Sequence, residues 1–219
     1  MTTPPLKIAL LGYGAMGREV ERVAAGKGHA IVLRADIDSP PLSAEDLRKA
    51  DVAVHFAVPA SVPGHVELAA AAGRPIVIGT TGWQKELDRI ASIVRSSNIG
   101  LIHAPNFSLG VNLFFQLVQR AGMLINRFEE YDVFVEEIHH RNKIDSPSGT
   151  ALALGSILTG ELERKTSVLT RPPEGKIDPG NLHIASIRAG NVVGTHRVVF
   201  DSAADGIELT HVAKNRTGF

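Results

Sequence analysis

From Glu136 to Ala151 the chain reads Glu136-Glu137-Ile138-His139-His140-Arg141-Asn142-Lys143-Ile144-Asp145-Ser146-Pro147-Ser148-Gly149-Thr150-Ala151. An imidazole titrates near neutral pH, so His139 is a candidate general acid. Lys143 can stabilise an anion, or donate a proton if its pKa is lowered. His140 need not point the same way as His139, so one can serve chemistry while the other positions a substrate. Ser146-Pro147-Ser148-Gly149-Thr150 has the composition of a helix entrance with Ser148 as N-cap. Unpaired N–H groups at such an entrance bind a carboxylate. Gly149 permits close approach there, and Thr150 adds a hydroxyl. Cationic residues facing a helix entrance suit a small dicarboxylate substrate that receives a proton.

Glu136, Glu137, His139 and His140 are also potential metal ligands. A helix-borne zinc pair, however, places two histidines four apart. Here they are neighbours beside a lysine at a strand end, and no metal is expected. His55, His103, His183, His196 and His211 fall inside expected strands and read as packing or surface residues without an assigned role.

A second group stands near the start. Gly12-Tyr13-Gly14-Ala15-Met16-Gly17 follows a strand and precedes a helix, the context that gives this glycine spacing meaning. The first glycine allows a tight turn, the second lets backbone approach a pyrophosphate, and the third lets helix and strand pack closely. The helix N-terminus then offers N–H donors to the phosphates. Asp36, at the end of the next strand, is placed to take the ribose hydroxyls, with Asp38 as second choice. A free carboxylate there repels a 2′-phosphate, which predicts NADH over NADPH, with Arg34 acting in the opposite sense. Gly79-Thr80-Thr81-Gly82 and Ala104-Pro105-Asn106-Phe107-Ser108 follow later strands, where open α/β sheets bind ligands, and are candidate walls of a nicotinamide pocket.

The elements that must position these residues follow from hydrophobic periodicity. Strands are expected over 6–11, 30–36, 52–56, 75–79 and 100–104, and helices over 15–25, 63–72 and 86–95. Such repeated units imply a parallel sheet with right-handed crossovers. The pattern changes near Ser108. Helices are expected over 111–124 and 149–162, and strands over 131–136, 182–188, 192–201 and 207–213. Ala189-Gly190-Asn191 and Ala204-Asp205-Gly206 read as hairpin turns between the last three strands. The Pro- and Gly-rich stretch 171–180 reads as a long loop, of the length that makes a mobile segment or lid. An α/β first half thus meets a second half with a largely antiparallel or mixed sheet.

The chain has 219 residues, 44% hydrophobic and 21% charged, with 23 basic and 23 acidic side chains and no cysteine. Balanced charge gives no global field for nucleic acid or an anionic membrane. The absence of cysteine excludes disulfides and thiolate metal sites, and the first apolar run is too short for a leader or a span. These features fit a soluble cytoplasmic protein.

With both groups in view, the chain resembles the dihydrodipicolinate reductase family of lysine and diaminopimelate biosynthesis. The specific match is Glu137-Ile138-His139-His140 through Lys143 to Asp145-Ser146-Pro147-Ser148-Gly149-Thr150-Ala151. Gly79-Thr80-Thr81-Gly82, Ala104-Pro105-Asn106-Phe107-Ser108 with Gly110-Val111-Asn112, and Arg188-Ala189-Gly190 with Val193-Gly194-Thr195-His196 support it. The resemblance implies a Rossmann-type parallel sheet over 1–107 and a second α+β domain over 108–215 built on an open mixed β-sheet. It places 216–219 back on the first domain and implies a homotetramer. It also implies hydride delivery from NADH or NADPH to a cyclic imine-type dicarboxylate. His139 and Lys143 would be catalytic, with His140, Ser148, Gly149 and Thr150 on the substrate. Other NAD(P)-dependent oxidoreductases of small amino or keto acids, or a non-catalytic dinucleotide sensor, are the alternatives. Two departures stand out. Many members carry a basic residue at the position of Ala15, so NADPH affinity is expected to be lower here. The family pattern also continues past Phe219 with a small-residue helix, whose absence would expose apolar surface on the first domain.

Overall fold

The structure is a computed structural model describing residues 4–219. The chain divides into two compact units, the first ending at Pro105 and the second running from Asn106 to Phe219. Residues 216–219, expected from the sequence to return to the first domain, cluster with the second unit.

In the first unit, β1 (Lys7–Leu11), β2 (Ala30–Ala35), β3 (Val52–His55), β4 (Ile76–Ile78) and β5 (Leu101–His103) form one sheet in the order β2-β1-β3-β4-β5. Every pairing is parallel. This is a Rossmann-like doubly wound sheet, and β1 buries four of its five residues because both faces are covered. Helices α1 (Ala15–Gly26), α2 (Ala44–Arg48), α3 (Val62–Ala72) and α4 (Leu87–Ser97) connect the strands. Ala9, Leu11, Ala53, Ile76 and Ile78 pack against Val62, Val66, Ala69 and Ile90, while Ile8, Leu10 and Ala24 form a separate cluster. Helix α2 is not among the elements expected from periodicity. It is a single short turn held by a capping box between Ser43 and Asp46, with only Leu47 buried, so it carries no apolar period.

In the second unit, α5 (Leu109–Ile125), β6 (Asp132–His139), α6 (Gly149–Glu161), β7 (Ser167–Leu169), β8 (Asn181–Arg188), β9 (Gly194–Asp201) and β10 (Gly206–Ala213) occur in order. The sheet order is β10-β9-β6-β8-β7. β6 pairs in parallel with β8 and antiparallel with β9, so the sheet is mixed. The turn at Ala204-Asp205-Gly206 does join the antiparallel neighbours β9 and β10. The one at Ala189-Gly190-Asn191 does not make a hairpin, because β6 lies between β8 and β9. Gly190, with φ 53°, marks a reversal of the chain, but a reversal does not dictate which strands pair. The short edge strand β7, paired only with β8, is likewise outside the strands expected from the sequence.

Phe114, Val118 and Ile125 of α5 and Ala151, Leu154 and Leu158 of α6 cover Val133, Val135, Leu182, Ile184, Val198 and Phe200 of the sheet. Because side chains alternate between faces, every second residue of these strands points the same way. On β6 the buried row is Val133, Val135, Glu137, His139, and on β9 it is Phe200, Val198, His196, Gly194. On β8, Leu182 and Ile184 give way to Ser186 and Arg188. Register puts Glu137 opposite Ser186 on one side and His196 on the other. Three apolar rows therefore turn polar at the same end of the sheet.

Beyond α6, Lys165 is buried and its Nζ donates to the carbonyls of Pro179 and Asn181 at 2.8 and 2.9 Å, besides pairing with Asp132. It ties down the far end of the long loop 171–180.

Candidate functional site

Glu137 is the centre of the polar end of the second unit. It is fully buried. Its Oε1 accepts from the Ser148 N–H at 2.9 Å, the Ser186 hydroxyl at 2.8 Å and Arg188 Nη2 at 2.7 Å. Its Oε2 faces His139 Nδ1 at 3.2 Å and His196 Nε2 at 3.7 Å. Burial pushes the Glu137 carboxyl up, but the adjacent His139 ring and the hydrogen bonds from Ser148, Arg188 and Ser186 outweigh it and hold the group well below the usual carboxylate range. It is an anion at any physiological pH.

Both His139 and His196 are buried, with ring centroids 5.1 Å apart in an edge-to-face arrangement. A Cβ built on Gly194 would lie 3.0 Å from His139 Nε2, so the missing side chain keeps that nitrogen clear. His196 Nε2 meets Ser148 Oγ at 3.2 Å. Burial, then the neighbouring His139, lower the His196 pKa to about 4 against a partial opposing pull from Glu137, so His196 is neutral. The ligand atoms of Glu137, His139 and His196 lie within 4.8 Å of one another, close enough for a metal ion to be considered. The Arg188 guanidinium on the same carboxylate opposes a cation there electrostatically.

Ser148 is the N-cap of α6, as its place in the sequence implied, and its Oγ accepts from the Ala151 N–H at 3.2 Å. With the Ser148 N–H given to Glu137, both polar groups of this buried residue serve the architecture. The Gly149 and Thr150 N–H groups are left without an acceptor among the described residues, as expected of a first helical turn. Thr150 Oγ1 accepts from Asn106 Nδ2 at 3.3 Å. Asn106 Oδ1 in turn accepts the Ser108 N–H at 2.9 Å, so the side chain assigned to a nicotinamide wall braces the α6 entrance. Lys143 sits in the loop after β6, with its Nζ 2.8 Å from Asp145 Oδ1. His140, half-buried, comes directly after the strand.

In the first unit, Gly12 adopts φ 101°, and a Cβ there would meet the Phe56 carbonyl carbon and the Ala57 nitrogen at 2.5 Å. A Cβ on Gly17 would lie 2.2 Å from the Gly12 oxygen, while one on Gly14 would meet nothing within 4 Å. The turn is thus shut on the protein side and open where a pyrophosphate would approach. Gly14 is the N-cap of α1 and offers no side chain, and Ala15, Met16 and Gly17 open the helix with no acidic residue in the first turn. A cavity of about 540 Å³ adjoins this turn, lined among others by Gly12, Gly14, Asp36, Ser39, Phe56 and His65. It lies at the β1/β3 switch point, where doubly wound sheets bind their ligands. Asp36 Oδ1 accepts the Ile37 N–H at 2.9 Å. Asp38 is exposed, and the cavity lining passes from Ile37 to Ser39 without it.

Arg34 is not free to face that cavity as a lone cation. It pairs with Glu21, which also takes the Tyr13 hydroxyl, and the Arg18 and Arg34 guanidinium carbons each lie 5.7 Å from the Tyr13 ring centroid. Gly79 lets the Phe56 ring pack on its Cα, since a Cβ would lie 2.1 Å from that ring. The Thr80 hydroxyl donates to the Ala57 carbonyl at 3.1 Å and meets Nδ1 of buried His55 at 2.8 Å. Thr81 is exposed, and Ala104 and Pro105 come after β5. Of the remaining wall residues, Asn106 and Phe107 belong to the second unit.

His55 and His196 give a pH signature. Burial, with His65 adding to it, lowers the His55 pKa to about 4, as burial and His139 do for His196. Both folded values lie below the unfolded 6.5. Between those limits the unfolded chain binds protons that the folded chain does not, so stability is complete above pH 6.5 and is lost as pH falls towards 4. The expected loss is on the order of 3 kcal/mol per histidine. Thermal unfolding across this range should show a steadily falling midpoint, and a flat profile would contradict the buried neutral state.

A Rossmann-like unit with an open glycine turn and a carboxylate beside its cavity, followed by a mixed-sheet unit bearing a buried imidazole–carboxylate cluster, defines an NAD(P)H-dependent oxidoreductase. Models of the dihydrodipicolinate reductase N-terminus and C-terminus match residues 6–107 and 110–219. The chain belongs to the dihydrodipicolinate reductase family. It is 38% identical to the 4-hydroxy-tetrahydrodipicolinate reductase of Christiangramia forsetii, over 98% of this chain and 87% of that one. The enzyme of that name from Thiobacillus denitrificans is 33% identical, over 98% and 89%. Among solved structures, the dipicolinate-bound dihydrodipicolinate reductase from Paenisporosarcina sp. TG-14 superimposes with a TM-score of 0.74 at 25% identity, covering 98% of this chain and 90% of that one.

Three residues of the cluster carry no site role in the sequence pattern. Glu137 reads there as a potential metal ligand and as part of the family match, His196 as a packing or surface residue and as part of a supporting match, and Ser186 does not stand out. The signal that could have found them is the apolar alternation of β6, β8 and β9, which runs into polar residues at one end of each strand.

Proposed function

We propose that the protein reduces 4-hydroxy-tetrahydrodipicolinate to tetrahydrodipicolinate in the diaminopimelate route to lysine. The observation that carries this is the juxtaposition of an acid-capable imidazole on a buried carboxylate with a helix entrance whose Gly149 and Thr150 N–H groups are free for a carboxylate. The Paenisporosarcina relative binds dipicolinate, a dicarboxylate of the same kind. When bound, the reduced nicotinamide supplies the hydride. The chain's own residues do the rest. Gly149 and Thr150 hold one carboxylate, and His140 and Lys143 offset the substrate's negative charge. The substrate's 4-hydroxyl leaves as water to give the conjugated ring imine. As hydride then adds to that ring, negative charge develops on it, and His139 or Lys143 neutralises it with a proton.

NADH is the better fit of the two cofactors. Asp36 presents a carboxylate at the cavity, Arg34 is already paired with Glu21, and Ala15 adds no charge at the turn. Exposed leucines on α5 (Leu113, Leu117, Leu124) and Ile207 and Val212 on β10 support assembly into a homotetramer. No helix among the described residues is long and apolar enough to cross a membrane. The test is oxidation of NADH and of NADPH, followed at 340 nm while a synthase makes the unstable substrate in place from pyruvate and aspartate semialdehyde. Synthase-dependent oxidation with a higher kcat/KM for NADH is expected. Oxidation absent with both cofactors would overturn the activity, and a preference for NADPH would overturn the cofactor assignment alone.

A further inference from the structure

We infer that Glu137 is a positioning residue that fixes which nitrogen of His139 carries the proton, its two carboxylate oxygens dividing the work. The inference rests on the reading of His139 as proton donor.

Oε1 takes all three anchoring bonds, from the Ser148 N–H at the entrance of α6 and from Ser186 and Arg188 on β8. Donors from two separate elements fix the plane of the carboxylate. Oε2 is left without an anchoring bond of its own and faces His139 Nδ1 at 3.2 Å. The N–H direction at that contact is off line, as is common before a substrate tightens a site. An acceptor at this distance favours the tautomer with its proton on Nδ1. Nε2, which Gly194 leaves clear, is then the nitrogen that exchanges a proton with the substrate. His196 does not displace His139 from Oε2. Its Nε2 lies farther from that oxygen, at 3.7 Å, and closer to Ser148 Oγ, at 3.2 Å. Lys143 is separately paired with Asp145 and makes no bond to this carboxylate.

Glu137→Gln tests the division. The amide oxygen can accept the three bonds of Oε1, all of which come from donors. The amide NH2 then occupies the place of Oε2 and donates to His139 Nδ1, which forces the proton to Nε2. The same inversion of a carboxylate–imidazole pair in a serine protease costs about 10,000-fold in kcat. Here a fall of roughly 100- to 10,000-fold in kcat is expected, with KM for substrate changed by only about threefold.

The decisive readout is the tautomer itself, by 15N NMR of the histidine ring in the wild-type protein. An Nδ1–H tautomer there, switching to Nε2–H in Glu137→Gln, is the expected result. An Nε2–H tautomer in the wild type overturns the inference even if the variant fails to fold, and so does an unchanged tautomer in a folded variant. Failure of the underlying reading shows separately, as full turnover in His139→Gln.

Discussion

His139→Gln is expected to lower turnover by roughly 100- to 10,000-fold, the range that a positioned general acid supplies, while NADH affinity stays within about twofold. Glutamine is polar and of similar reach, so it can sit beside Gly194 and Glu137 without opening a void. It has no ionisable proton near neutral pH, so only transfer is lost. The glycine turn belongs to the other compact unit, which is why cofactor affinity should not change with it. Some activity should persist, since Lys143, in the loop after β6, is the second candidate donor. Single-turnover absorbance and calorimetric NADH titration separate the two quantities. Turnover equal to the wild type would remove His139 from the chemistry, and a matching loss of NADH affinity would mean that the substitution had damaged more than the acid.

The second large effect is at the glycine turn. Gly12→Ala forces a side chain into φ 101° and into the backbone of Phe56 and Ala57 at 2.5 Å. Strained backbone and overpacking together should cost roughly 2–6 kcal/mol of stability, and NADH affinity should fall by roughly 100-fold, or about 2.7 kcal/mol. Gly14→Ala is the informative partner. Nothing lies within 4 Å of its added Cβ, so the fold should keep its stability. The same methyl would project into the open side of the turn, and NADH affinity should still drop. Thermal unfolding and calorimetry on the two variants distinguish a turn that the protein needs from a surface that the cofactor needs. A Gly14→Ala protein that binds NADH normally would show that the turn does not carry the pyrophosphate.

Much of this architecture is legible in the chain because local and tertiary preferences agree. The apolar run ending at Gly12, the spacing of Gly12, Gly14 and Gly17, and the small residues after Ser146 each specify a conformation within a few positions. Ser148 is readable as an N-cap because a side-chain acceptor before a helical run has few other uses. The expected helix over 149–162 is observed as Gly149–Glu161, and that over 111–124 as Leu109–Ile125. The failures are long-range. A glycine turn after β8 looks like a hairpin, yet β6, more than forty residues earlier in the chain, inserts between the strands it joins. His196 looks like any strand histidine until register sets it opposite Glu137. Glu137 itself sits one residue from Glu136, and only the pleat separates them. Glu136 pairs with Arg197, whereas Glu137 is buried among Ser148, Ser186 and Arg188. Nothing local tells which of two adjacent glutamates faces inward except the phase of Val133 and Val135.

The proposed site is tested most directly by a crystal structure of the protein with NADH and dipicolinate. One ligand carboxylate is expected on the Gly149 and Thr150 N–H groups, with the ring beside His139 and Lys143. Dipicolinate bound elsewhere, with the α6 entrance and the Glu137 cluster unengaged, would contradict it.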